Sequence, residues 1–83
     1  MSTTSPTPVE VATIIEEILG ISEIAADENF FEVGGNSILA LTLMTRIEEL
    51  WGPALSLIDV MHNATPALLA DRIAIDAAGE PRP

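Results

Sequence analysis

Apolar residues fall at Val11, Ile14, Ile15, Ile18 and Leu19, the spacing of one helix face, while Glu10, Thr13, Glu16 and Glu17 take the other side. The run opens on Thr7-Pro8-Val9-Glu10. Thr7 suits the cap, Pro8 the first helical position, where no N–H is needed, and Glu10 the return contact of a capping box. Gly20 follows the last periodic residue and suits a left-handed stop. A second helical run covers 37–50 and ends at Gly52-Pro53. One or two turns are expected over 56–62. Thr65-Pro66 repeats the first start signal, and Leu68, Leu69, Ile73 and Ala77 form the stripe of a last helix. The connection 21–36 contains both phenylalanines, Phe30 and Phe31, and the pair Gly34-Gly35. A loop this long is either functional or pinned by its own side chains, so at least one phenylalanine is expected to plug into the helices. No alternating strand pattern or internal repeat occurs. The pattern predicts an all-α fold, a four-helix bundle with a long first loop and a short third helix. Residues 1–6 and 79–83 read as loose tails around one domain over 7–78.

On a wheel of ~100° per residue, Leu39, Ala40, Leu43, Met44, Ile47, Leu50 and Trp51 share the core side of the second helix. Thr42, Thr45, Arg46, Glu48 and Glu49 lie mostly opposite. Ile38 and Leu41 break the pattern, pointing outward on either side of Thr45. Single exposed apolar residues need no explanation, but two beside a modifiable serine suggest a docking surface. Trp51 and Met61 read as core or core-rim residues.

Composition narrows the class. Apolar residues make up 48% of the 83, too many for a disordered acidic segment, and the aromatic share is only 4%. The interior therefore rests on aliphatic side chains, in a core small enough that caps matter. With no cysteine, disulfides, thiolate zinc sites and a cysteine nucleophile are excluded. Thirteen acids against Arg46, Arg72 and Arg82 leave a charge of −10. Such a surface repels nucleic acid and anionic membranes and favours partners with basic patches. No apolar run reaches the ~20 residues of a membrane span and no leader pattern opens the chain, so a cytoplasmic protein is expected.

The chemistry concentrates at Gly34-Gly35-Asn36-Ser37, which opens the second helix. The glycines allow a tight turn without side chains to crowd an approaching molecule. Ser37 stands where unpaired N–H groups and the positive dipole end favour an anion, so its hydroxyl is suited to carry a phosphodiester. Equally, Asn36 or Ser37 can simply cap the helix. His62 is the only histidine, which rules out sites built on several imidazoles, and it is expected at the end of the short helix. A Ser37–His62 catalytic pair lacks an orienting acid and a cavity. Asp27, Glu28 and Glu32 do not match calcium-loop spacing and read as solvated loop acids.

The run Phe30-Phe31-Glu32-Val33-Gly34-Gly35-Asn36-Ser37-Ile38-Leu39-Ala40 resembles the attachment motif of the peptidyl carrier proteins of nonribosomal peptide synthesis. Asn29, both phenylalanines, both glycines, Ser37 and Ile38 match, and the likeness extends from about Val9 to Ile73. Val33 stands where the family has leucine, and Asn36 where it has histidine or aspartate, a position that bears on partner preference. The absence of acids in the second helix before Glu48 favours the peptidyl over the fatty-acid class. The resemblance implies a bundle of the acyl-carrier type and a 4'-phosphopantetheine arm on Ser37, flanked by Gly35 and Asn36. It also implies docking through Ile38, Leu41 and Thr45, and no catalytic residue or metal of the protein's own. The implied partners are a phosphopantetheinyl transferase, an adenylation enzyme, and condensation or tailoring enzymes, served by a discrete monomeric carrier. A polyketide or other acyl carrier is the nearest alternative. An acidic interaction module whose serine is only a cap is the alternative of another class.

Overall fold

The structure, a computed structural model, describes residues 6–77. The first helix, α1, spans Pro8–Leu19. Thr7 Oγ1 accepts from Glu10 N at 3.2 Å, and Glu10 Oε1 accepts from Thr7 N at 2.8 Å. Two N–H groups that the first turn leaves open are thereby satisfied. Gly20 ends α1 at φ 70°, its N–H donating to Glu16 O at 2.8 Å. Helix α2 spans Ser37–Trp51, one residue beyond the expected end, and stops at Gly52 with φ 106°. Helix α3, Leu57–His62, starts with a second capping box, between Ser56 and Asp59. Helix α4, Pro66–Ala77, starts under Thr65, whose Oγ1 accepts from Leu68 N at 3.2 Å. Among the described residues there is no strand, and no helix is long and apolar enough to cross a membrane.

Helix α1 packs on α4 and α2, and α2 packs on α3 and α4. Their shared core centres on Val11, Ile15, Phe30, Leu43, Ile47, Val60, Leu69 and Ile73, all fully buried. Each such aliphatic or aromatic side chain contributes about 1.5–3 kcal/mol relative to exposure. Loop residues join them: Ile24, Leu55 and Ala64 are buried although they belong to no helix.

Two positions depart from the expected helical faces, and Met61 departs from its expected place at the core or its rim. Leu50 is exposed, because it lies about 60° beyond Ile47 at the edge of the buried arc. There it lines a surface groove with Val9, Thr13 and Trp51. Leu68 is also exposed; Pro66, Leu69, Ala70 and Ile73 make the buried face of α4, and Leu68 projects almost opposite Pro66. Met61 points outward since the short α3 buries only Val60 fully, with Leu57 half-buried. At the N-terminal side Pro6, expected in the tail, is buried. The tail expectations for 1–5 and 79–83 lie outside the described residues.

Candidate functional site

The loop 21–36 is tied down at both ends and in the middle. Glu16 Oε2 accepts from Ile24 N at 2.9 Å, and Ala26 O accepts from Ala67 N at 3.0 Å. Glu28, expected to be merely solvated, accepts from Ala25 N at 2.7 Å and closes a turn. Phe30 is fully buried and its N–H donates to Ala64 O at 2.7 Å, fastening the loop to the α3–α4 connection. Phe31 stacks edge-on against it, with ring centroids 5.1 Å apart. Asn29 Oδ1 accepts from Phe31 N at 2.8 Å and organises the turn that follows.

Two glycines then lead into α2 for different reasons. Gly34 has φ 125°, a conformation that side-chain-bearing residues rarely adopt. Gly35 donates its N–H to Phe30 O at 2.9 Å, and a Cβ there would collide with the Phe30 ring. Beyond them Asn36 Oδ1 accepts from Leu39 N at 2.9 Å, so Asn36 caps α2. Ser37 is therefore relieved of that duty. It is exposed, and its hydroxyl makes no hydrogen bond with any described residue.

Next along α2, Ile38 and Leu41 are 75% and 53% exposed, as the wheel predicts. Thr45, also exposed, turns its hydroxyl back to Leu41 O at 3.1 Å. On α3, Ile58 and Met61 are likewise exposed. The sequence reading missed them, although the single buried position of so short a helix was the available signal. His62 is exposed in the last turn of α3 and the structure assigns it no hydrogen bond or ion pair.

A family model described as the phosphopantetheine attachment site matches residues 9–73 of this chain. The chain belongs to that family. As a carrier domain it bears 4'-phosphopantetheine and is a substrate of other enzymes, not itself a catalyst. The carrier domain is 39% identical over 66 residues, 77% of its length, to a dimodular nonribosomal peptide synthase of Bacillus subtilis. It spans only 3% of that relative. Among solved structures it is similar to the peptidyl carrier protein solved with the phosphopantetheine transferase Sfp and coenzyme A. That likeness has TM-score 0.81 and 27% identity, covering 90% of this chain and 97% of that one. It also resembles the McyG A-PCP solved with phenylalanyl-adenylate, with TM-score 0.77 and 30% identity over 88% of this chain and 12% of that one.

The start of α2 fits the family's group. The Ser37 and Ile38 N–H groups have no acceptor among the described residues, as the first turn of a helix dictates. No acid stands in that turn. An exposed hydroxyl with open N–H donors and no neighbouring carboxylate on the helix is a donor set suited to a phosphodiester.

Proposed function

We propose that the carrier domain holds an amino or aryl acid as a thioester on an arm joined to Ser37 Oγ, and that it serves nonribosomal peptide synthesis. One observation carries this reading: the hydroxyl at the first residue of α2 is exposed while its neighbour Asn36 does the capping. Substituting that oxygen breaks no hydrogen bond of the fold and moves nothing in the core. In the attachment step Ser37 Oγ bonds to the pantetheine-side phosphorus of coenzyme A as the pyrophosphate P–O bond breaks. Adenosine 3',5'-bisphosphate leaves, and the serine proton passes to a base on the transferase, which also binds the magnesium. The arm, when bound, supplies a terminal thiol on which the acid is held.

The chain's own residues root and present that arm. Ser37 belongs to α2, and Phe30, packed under Gly35, keeps the preceding loop closed against the bundle, so the surroundings of the attachment point are fixed as well. A tether on a fixed root raises the effective concentration of its cargo at each partner. Ile38, Leu41 and Thr45 form the docking surface, to which Ile58 and Met61 on α3 add apolar area. The likeness to carriers solved with a transferase and within an A-PCP unit supports a phosphopantetheinyl transferase and an adenylation enzyme as partners. Condensation or tailoring enzymes receive the thioester.

Mass spectrometry after incubation with coenzyme A and a broad-specificity transferase tests the assignment. The expected result is a gain of one phosphopantetheine, absent in Ser37→Ala. An unmodified wild-type chain would leave only an acidic interaction module. In the same assay Leu41→Glu should keep the melting temperature yet slow modification or loading. Unaltered rates with both partner enzymes would remove Leu41 from the docking face.

A further inference from the structure

The geometry points to Asn36 as the residue that positions the root of the arm, through the half of its carboxamide that the fold leaves unused; this rests on the assignment of the arm to Ser37. Asn36 Oδ1 accepts from Leu39 N at 2.9 Å. Because that partner is a donor, the atom facing it is the oxygen, and the orientation of the planar amide follows. With Oδ1 committed to the first turn, Nδ2 faces out of it. Asn36 is exposed, and Nδ2 has no acceptor among the described residues. Two N–H donors are thus presented by the residue bonded directly to Ser37.

A phosphodiester offers the complement: two non-bridging oxygens that share one negative charge and can only accept. A charge-assisted hydrogen bond from Nδ2 to one of them fixes the phosphorus relative to α2. The flexible part of the arm then begins beyond the phosphate, which narrows the volume its thiol sweeps. Capping does not require this chemistry. Aspartate and serine cap about as well as asparagine. Aspartate, however, would set an anionic acceptor beside the phosphate, and serine has no second polar arm. The two roles of Asn36 are therefore separable by substitution.

The test uses the full chain, loaded with phosphopantetheine by a transferase, as wild type and as Asn36→Ser. The mass gain that Ser37→Ala lacks is confirmed first. In the loaded wild type the Asn36 side-chain amide protons should exchange with water more slowly than in the unloaded protein, while those of Asn29 and Asn63 are unchanged. The phosphorus-31 resonance of the arm should shift in Asn36→Ser. If the mass is gained but the Asn36 amide protons exchange as fast as before, Asn36 is only a cap; the inference falls and Ser37 stands. If no mass is gained, the Ser37 assignment falls, and the inference with it.

Discussion

A methyl group on Gly35 would meet the Phe30 ring and lie 2.7 Å from Phe30 O, far inside van der Waals contact. Neither neighbour can yield easily, since Phe30 is fully buried and its carbonyl already accepts the Gly35 N–H. Gly35→Ala should therefore destabilise the domain by roughly 1–3 kcal/mol, the usual cost of overpacking. A denaturant midpoint equal to wild type would show that the loop does not pack against the ring. The sequence suggested two roles for the glycine pair, a tight turn, which Gly34 fulfils with its φ of 125°, and an open approach to Ser37. The structure divides the pair into a backbone requirement at Gly34 and a packing requirement at Gly35. The packing requirement was not legible in the sequence, because close approach between Gly35 and a ring five residues earlier follows from loop geometry, not from periodicity. The capping residues were legible. Thr7, Glu10, Gly20 and Asn36 act through neighbours within four positions, where residue type alone constrains the bond.

Helix α3 shows what holds an element too short to be stable by itself. Its six residues bury only Val60 completely. Asp59 compensates through two contacts. Its Oδ2 accepts from Ser56 N at 3.0 Å, and its Oδ1 faces Arg72 Nη2 of α4 at 3.5 Å. Above all the backbone N–H of Ser56, then its hydroxyl, Arg72 and His62, hold the Asp59 carboxyl below its ordinary value, outweighing partial burial. A depressed folded pKa means that the charged form is the one the fold favours. Its contribution is complete above the unfolded value of about 3.9 and fades as pH falls through the folded value. Asp59→Ala should cost about 1–2 kcal/mol near pH 7, as loss of a cap with a partly exposed ion pair. The gap between variant and wild type should close in acid. A gap that persists at low pH would mean that the carboxylate charge is not what holds α3. Where helices face one another, the wheel reading worked for Leu43 and Ile47 and failed at Leu50 and Leu68. The wheel ranks angles but does not know where the neighbouring helix ends.

For the whole molecule, the sequence pattern shows four helices and their order but not how the loops complete the core. Ile24, Leu55 and Ala64 are buried through connections that carry no periodicity. Charge acts at the same scale. Thirteen acids oppose three arginines, and Arg46 and Arg72 are already engaged, with Glu17 and with Asp59 and Asp76. The bundle measures 36 × 23 × 20 Å. At about 0.01 M salt the Debye length of ~30 Å spans nearly the whole domain, so every carboxylate feels the rest; at 0.15 M, ~8 Å confines the repulsion to neighbours. Folding gathers these charges, so screening should raise the melting temperature between those two ionic strengths. Docking to a basic partner is the opposite case, since there the same field attracts. The Michaelis constant of the transferase for this carrier should rise over the same interval. Opposite trends from one charge distribution are hard to obtain from a general salt effect on water or on the enzyme alone. A melting temperature and a Michaelis constant that both ignore salt would show that the acids serve neither repulsion within the fold nor recognition between proteins.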